Sequence, residues 1–344
     1  MPAALKNSLF SGNSRRLLAC GFLLLALGVS VRLWHDRSAV MPAGANTELP
    51  NHGAAHASGE LDAQIALGAD LHKSGRLDDA RRIFESVDRS DPHDPRAVVW
   101  LGMIAVQRHE VARGIAYFEE ALRRDPADAD VCRSLGELYE RQGATARSVA
   151  LYERAAQLHS KDAANWRMLG LADLRIGRLS RGREALRQAA QLAPDDLKTQ
   201  AALGDVNLRL GLLEEARQSY SAVLAHTPDE PSALAASAQI NVQLEPTPDG
   251  LQKAENQVNR AISLRLTPQC LLVRGHISLL RHNYDAAIRD LDRAVKMDPN
   301  LAEAYGFLSQ AYAAIGKPDQ ARQESMAFER ARERVKQASS RTQP

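Results

Sequence analysis

Apolar residues along most of this chain recur three and four positions apart, in short stretches cut by glycine or proline, with charged and amide side chains between them. That spacing lines side chains up on one face of a helix, where a strand would alternate them. The stretches come in an order that repeats every 34 residues from Leu61 onward. With Leu61 as position 1, position 7 is Leu67, Leu101, Leu135, Leu169 and Leu203, and position 8 is the glycine after each. Position 20 is small (Ala80, Gly114, Ser148, Gly182, Ala216). Position 24 is large and mostly aromatic (Phe84, Phe118, Tyr152, Leu186, Tyr220), and position 27 is Val87, Ala121, Ala155, Ala189 and Val223.

This pattern predicts two short helices per unit, held close together. Small residues at positions 8, 20 and 27 let the backbones approach, and the large residue at position 24 fills the space that remains. Gly75, Gly143, Gly177 and Gly211 stand at position 15, where a left-handed residue ends the first helix. His109 and His282 take that place in two other units. Pro92, Pro126, Pro194 and Pro228 cannot continue the second helix and force a break, with Ser160 standing there in the third unit. A sustained repeat of this length predicts an elongated array with an extended surface, since each unit buries its apolar face only against its neighbours.

These residues resemble the tetratricopeptide repeat family, whose helix–turn–helix unit has a Trp-Leu-Gly-Tyr-Ala-Phe-Ala-Pro pattern. The family's tryptophan at position 4 stands here as Trp166, and its tyrosine at position 11 as Tyr139 and Tyr312. The resemblance implies an all-α, right-handed superhelical solenoid of about eight units over residues 61–336. Their boundaries are 61–94, 95–128, 129–162, 163–196, 197–230, 231–267, 268–301 and 302–336. The sixth unit has Ala238 in place of the position-8 glycine, and the stretch from Glu245 to Gly250 is expected to widen its inter-helix turn into a weak joint. Gly275, Ala287, Leu291, Ala294 and Pro299 restore the spacing, and Tyr305, Leu308, Tyr312, Gly316 and Ala321 mark the eighth unit. There position 24 becomes Ser325, position 27 becomes Phe328, and a charged run from Glu329 to Lys336 follows, as suits a last unit with no neighbour. Residues 337–344 read as a disordered tail.

The first sixty residues lie outside the periodic pattern. Lys6, Arg15 and Arg16 precede an uncharged apolar run over 17–31, which Arg32 interrupts and Leu33 and Trp34 close. Residues 1–16 therefore read as a basic cytoplasmic terminus and 17–34 as a transmembrane signal-anchor. Residues 35–60, with Pro42, Gly44, Pro50 and Gly53, read as a flexible linker. This places the protein in a bacterial inner membrane as a single-pass chain, with its repeats on the outer side. The run is short for a span and also fits a signal peptide, with Ala43-Gly44-Ala45 as the cleavage site; the protein would then be secreted. Leu17-Leu-Ala-Cys20 looks like a lipobox, but it opens the apolar run instead of following it.

Charge and motifs narrow the function by exclusion. Lys and Arg number 44 against 42 Asp and Glu, for a net charge of +2, and no long basic stripe appears, so no nucleic-acid partner is expected. There is no G-x-S-x-G, no paired metal-ligand motif and no phosphate loop, so no catalysis, cofactor, metal or small-molecule substrate is expected either. His52 and His56 lie four apart in the linker, with no helix expected to hold them on one face. Of the three cysteines, Cys20 lies in the apolar run, while Cys132 and Cys270 lie near the starts of first helices. Cys132 takes a packing position and reads as a buried thiol.

In the family that the chain resembles, first helices line a concave groove through positions 2, 5, 6, 9, 12 and 13. Carried over, these positions give an apolar stretch of Val99, Trp100, Met103 and Val106, continued by Met168, Leu171 and Leu174. They also give a basic series of Arg133, Arg141, Arg167, Arg175 and Arg209, and a third stretch of Leu272, Val273, Leu279 and Phe307. Large apolar side chains on such a face, with Trp and Arg among them, imply a protein partner, unless a tight superhelix buries them against adjacent first helices. The family's clamp for chaperone carboxylates requires lysine at position 5 and asparagine at positions 6 and 9. Here position 5 is Arg133 and Arg167, and position 9 is Glu137, Leu171 and Asp205, so that clamp is not expected.

The expected function is a membrane-tethered scaffold that binds peptide segments of other proteins, apolar with acidic flanks, and assembles an envelope complex. A narrower alternative is an assembly factor for cytochrome maturation or exopolysaccharide export. A third, the specificity arm of a glycosyltransferase system, leaves no room for a catalytic domain after the last unit.

Overall fold

A computed structural model of the protein describes residues 52–341, with side-chain surroundings over 59–337. Sixteen helices and no strand occur among them, and consecutive helices pair into an all-α solenoid. The first pairs are α1 (His52–Lys73) with α2 (Leu77–Ser90), α3 (Pro95–Gln107) with α4 (Val111–Arg124), and α5 (Ala129–Arg141) with α6 (Thr145–Leu158). Next come α7 (Ala163–Arg175) with α8 (Leu179–Leu192), and α9 (Leu197–Arg209) with α10 (Leu213–His226). The array continues with α11 (Pro231–Leu244) and α12 (Pro248–Leu264), α13 (Pro268–Leu280) and α14 (Tyr284–Met297), then α15 (Ala302–Ala314) and α16 (Pro318–Arg341).

The periodic residues build these pairs by direct contact. A Cβ on Gly136 would lie 2.7 Å from the Tyr152 ring, so position 8 must be bare for position 24 to lie against it. Phe84, Phe118, Tyr152 and Leu186 are accordingly buried. Gly143 ends α5 at φ +76°, and His109 takes the same left-handed conformation at 63° after α3. First helices start on carboxylates that also recur every 34 residues. Asp94, Asp128, Asp162 and Asp196 each accept a backbone N–H at the start of α3, α5, α7 and α9.

Three sequence expectations are corrected. α1 begins at His52, so residues 52–60 are helical where a flexible linker was expected, and His52 and His56 lie on that helix. α16 runs on to Arg341, so residues 337–341 are helical where a disordered tail was expected. The insertion in the sixth unit does not widen its turn. α12 has 17 residues where α10 and α14 have 14, because Thr247 caps its start and Pro248 takes the first turn. Leu251, Ala254, Val258 and Ala261 of that helix join one apolar cluster with Ala238, so the place read as a weak joint is well packed.

Cys132 is fully buried, and burial pushes its thiol up to about 11; Cys270 is buried as well. Among the described residues no helix is long and apolar enough to cross a membrane. The run at 17–34 lies outside those residues, as do Cys20 and most of the linker.

Candidate protein-binding groove

First helices supply the candidate groove, and the structure sorts its predicted residues into three groups. One group belongs to the core. Trp100 is 4% exposed and stacks on Phe84 at 5.3 Å between ring centroids, with His72 edge-on to it at 5.3 Å. It cannot serve as an exposed anchor, because the neighbouring pair supplies a flat aromatic partner that the periodicity did not reveal. Val106, Leu272 and Val273 are buried in the same way. Leu279 and Phe307 pack partly on the cluster that contains Leu272, and Phe307 stacks on His276 at 4.1 Å. Burial lowers the pKa of His276.

A second group ties one unit to the next. Arg133 donates to Asp130 at 2.8 Å, to the cap residue Asp162 at 3.3 Å and to the buried amide of Asn165 at 3.2 Å. Arg167 makes the equivalent ion pair one unit later, with the cap residue Asp196. Although burial opposes it, Thr199 and Arg167 together hold the Asp196 carboxyl below its usual value. These two arginines join helix starts across unit boundaries. Their charge is largely spent inside the molecule, where the sequence assigned it to a partner.

The third group remains available. Arg141, Arg175 and Arg209 all stand at position 13, one per unit on α5, α7 and α9, and all three are exposed. Arg175 pairs with Glu140, which also accepts the Tyr152 hydroxyl at 2.8 Å. Arg141 and Arg209 make no hydrogen bond or ion pair among the described residues. Val99, Met103, Met168 and Leu171 are half-buried in the adjoining first helices. Met103 bridges two apolar clusters, so only part of each side chain is free for contact. Burial raises the pKa of Glu137 against the pull of Arg133 and Arg141, which puts a poorly solvated carboxylate between the two arginines.

Family models described as tetratricopeptide repeat match residues 65–129, 101–163, 167–231 and 278–324, together more than half of the chain. The chain belongs to the tetratricopeptide repeat family. Members of that family are in general interaction modules that bind other proteins or peptides. No curated protein matches the chain at a significant level. Among solved structures, this repeat protein is similar to YrrB, described as "a TPR protein with an unusual peptide-binding site", at 18% identity and a TM-score of 0.48, over 53% of this chain and 92% of that one. It is similar to a tetratricopeptide repeat protein from Parabacteroides merdae at 14% identity and a TM-score of 0.48, over 73% and 98% of the two chains. It is also similar to pilF of Pseudomonas aeruginosa at 18% identity and a TM-score of 0.49, over 60% and 93%.

Proposed function

We propose that this repeat protein is a scaffold whose concave groove holds a peptide segment of a partner protein, between the arginine column on α5, α7 and α9 and the half-buried Met103, Met168 and Leu171. The observation that supports this most is the column itself: three exposed arginines, one per unit, beside apolar surface that the core does not fully cover. Arginine on such a face pairs with carboxylates through two parallel hydrogen bonds, which favours acidic flanks on an apolar segment.

The scaffold is tethered to a bacterial inner membrane through residues 17–34, with the repeats on the outer side, where it assembles an envelope complex. Basic residues ahead of an uncharged apolar run and a closing tryptophan support that placement. No residue favours cytochrome maturation or polysaccharide export over a general assembly role.

Partner capture tests the groove. Crosslinking of the full-length protein in membranes, followed by mass spectrometry, is expected to lose its partners in an Arg141→Glu/Arg175→Glu variant whose helicity is unchanged. Partners kept by that variant would overturn the groove assignment.

A further inference from the structure

Between the second helices α8 and α10 the array is hollow, on a side that the groove does not use. A cavity of ≈ 490 Å³ lies there, with Gln191 of α8 on one wall and Gln218 of α10 on the other. Gln200, Leu203 and Asn207 of α9 form its floor. In the repeat these three stand at positions 4, 7 and 11, none of which is a groove position. The volume is within the range of ligand sites, about 300–1,000 Å³.

Two departures from the repeat pattern open this space. Between α4 and α6 the corresponding crevice is filled at position 11 by Tyr139, whose hydroxyl donates to Glu119 and whose ring lies under Arg147. Between α6 and α8 it is filled at position 4 by Trp166, which packs with Tyr152 and Ala185 and donates to the Ser160 carbonyl at 2.8 Å. In the fifth unit both places are amides, Gln200 and Asn207, and Ala190 and Ala222 on the rim are too short to cover them. No ligand motif marks this place in the sequence, because the cavity comes from the lack of two rings.

The floor carries hydrogen-bonding capacity that the protein leaves unused. Asn207 is 2% exposed, and its Oδ1 accepts from Arg183 Nε at 2.7 Å, which fixes the orientation of the amide. Its two N–H donors have no partner among the described residues. A buried donor without a partner is destabilising, and a bound group that accepts from it removes that cost. Gln200 donates to the Pro194 carbonyl at 3.0 Å and keeps its own carbonyl oxygen open. Gln191 and Gln218 are exposed and make no hydrogen bond among the described residues.

Charge is balanced on these walls. Arg187 pairs with Glu184 at 3.2 Å, and Arg183 lies 4.0 Å from Glu215. That balance favours neither an anion nor a cation. A hydroxyl group donates and accepts at one atom, so amides that offer both functions match a set of neighbouring hydroxyls. Leu203, Ala190 and Ala222 supply a small apolar patch, which suits the C–H edge of a sugar ring and is too little for an apolar ligand.

We propose that the crevice between α8 and α10 binds a neutral saccharide of roughly one or two rings, with Asn207 donating to a hydroxyl from the floor and Gln191, Gln200 and Gln218 bonding to others around it. The site is on a different face from the peptide groove and does not depend on it.

The test is saturation-transfer NMR of the full-length protein, in a detergent without sugar headgroups, titrated with maltose, cellobiose and lactose. Saturable transfer to at least one of them is expected. Gln191→Ala/Gln218→Ala is expected to weaken it about tenfold or more. Gln200→Trp, which restores the ring of the family pattern at position 4, is expected to abolish it. Both glutamines of the first variant are exposed, and an unchanged melting temperature separates loss of the site from loss of the fold. No saturable binding of any of the three sugars overturns the site, as does binding that either variant leaves unchanged. Glucuronate binding more tightly than glucose overturns the neutral assignment.

Discussion

Gly136 bears against Tyr152, whose ring is fastened at its far end by a 2.8 Å hydrogen bond to Glu140 and cannot easily give way. Replacing a helical glycine by alanine ordinarily stabilises by about 1 kcal/mol. Here the new Cβ would sit 2.7 Å from the ring, so Gly136→Ala is expected to destabilise by about 1–3 kcal/mol. Gly306, whose nearest obstacle is Phe328 at 3.6 Å, is expected to gain about 0.5–1 kcal/mol on the same change. Urea denaturation of the two variants would show opposite signs; the same sign in both would contradict this packing. Glu137 makes a pH-dependent case. Its folded pKa is raised by burial, so the native state holds that proton to higher pH than the unfolded chain does. Stability linked to it is present below the unfolded value and is lost as pH rises through the folded value. Glu137→Gln should therefore raise the melting temperature at neutral pH, with the gain fading as pH falls toward the ordinary carboxylate value. A gain that does not change with pH would rule out that cause. At this scale the sequence exposed its small and large packing positions through size alone. Trp100 was misplaced because its stacking on Phe84 comes from the preceding unit, and side-chain stacking across a boundary leaves no periodic trace. The cap aspartates did leave one, since Asp94, Asp128, Asp162 and Asp196 keep the 34-residue spacing.

Helices at equivalent places in the repeat differ according to what adjoins them. Position 7 is leucine in each of the first five units, yet Leu135 is 3% exposed and Leu67 is 52% exposed, because no helix among the described residues lies ahead of α1. Leu135→Ala is expected to cost about 2–5 kcal/mol and Leu67→Ala less than about 1 kcal/mol. Thermal melts giving equal losses would mean that something covers Leu67 in the folded protein. The sixth unit carries letters that fit two local structures. Glu245-Pro-Thr-Pro-Asp-Gly250 has the composition of a loop, but Thr247 and Pro248 are also a cap and a first-turn residue. The same letters fit both outcomes, and the apolar spacing of Leu251, Ala254 and Val258 decides for the helix.

As a whole the molecule is an array of adjoining pairs, with ion pairs such as Arg133–Asp162 and Arg167–Asp196 crossing the unit boundaries. Its two ends are unlike. Among the described residues the N-terminal end leaves Leu67 open, while the C-terminal end closes on a charged helix of 24 residues. The architecture was legible because a repeat amplifies every local preference at one spacing. The groove was legible only in part. Position numbers identify which helix face a residue occupies, but whether Arg167 meets Asp196 or solvent depends on the rotation between units, which no single unit encodes. Partner binding is proposed for the concave face. Its most direct test is a photo-crosslinking side chain placed at Met168 on a first helix, or at the exposed Leu158 on a second helix, in the full-length protein in its native cells. Binding in the groove should give covalent partner adducts from Met168 and none from Leu158; adducts from Leu158 alone would place the partner on the other face.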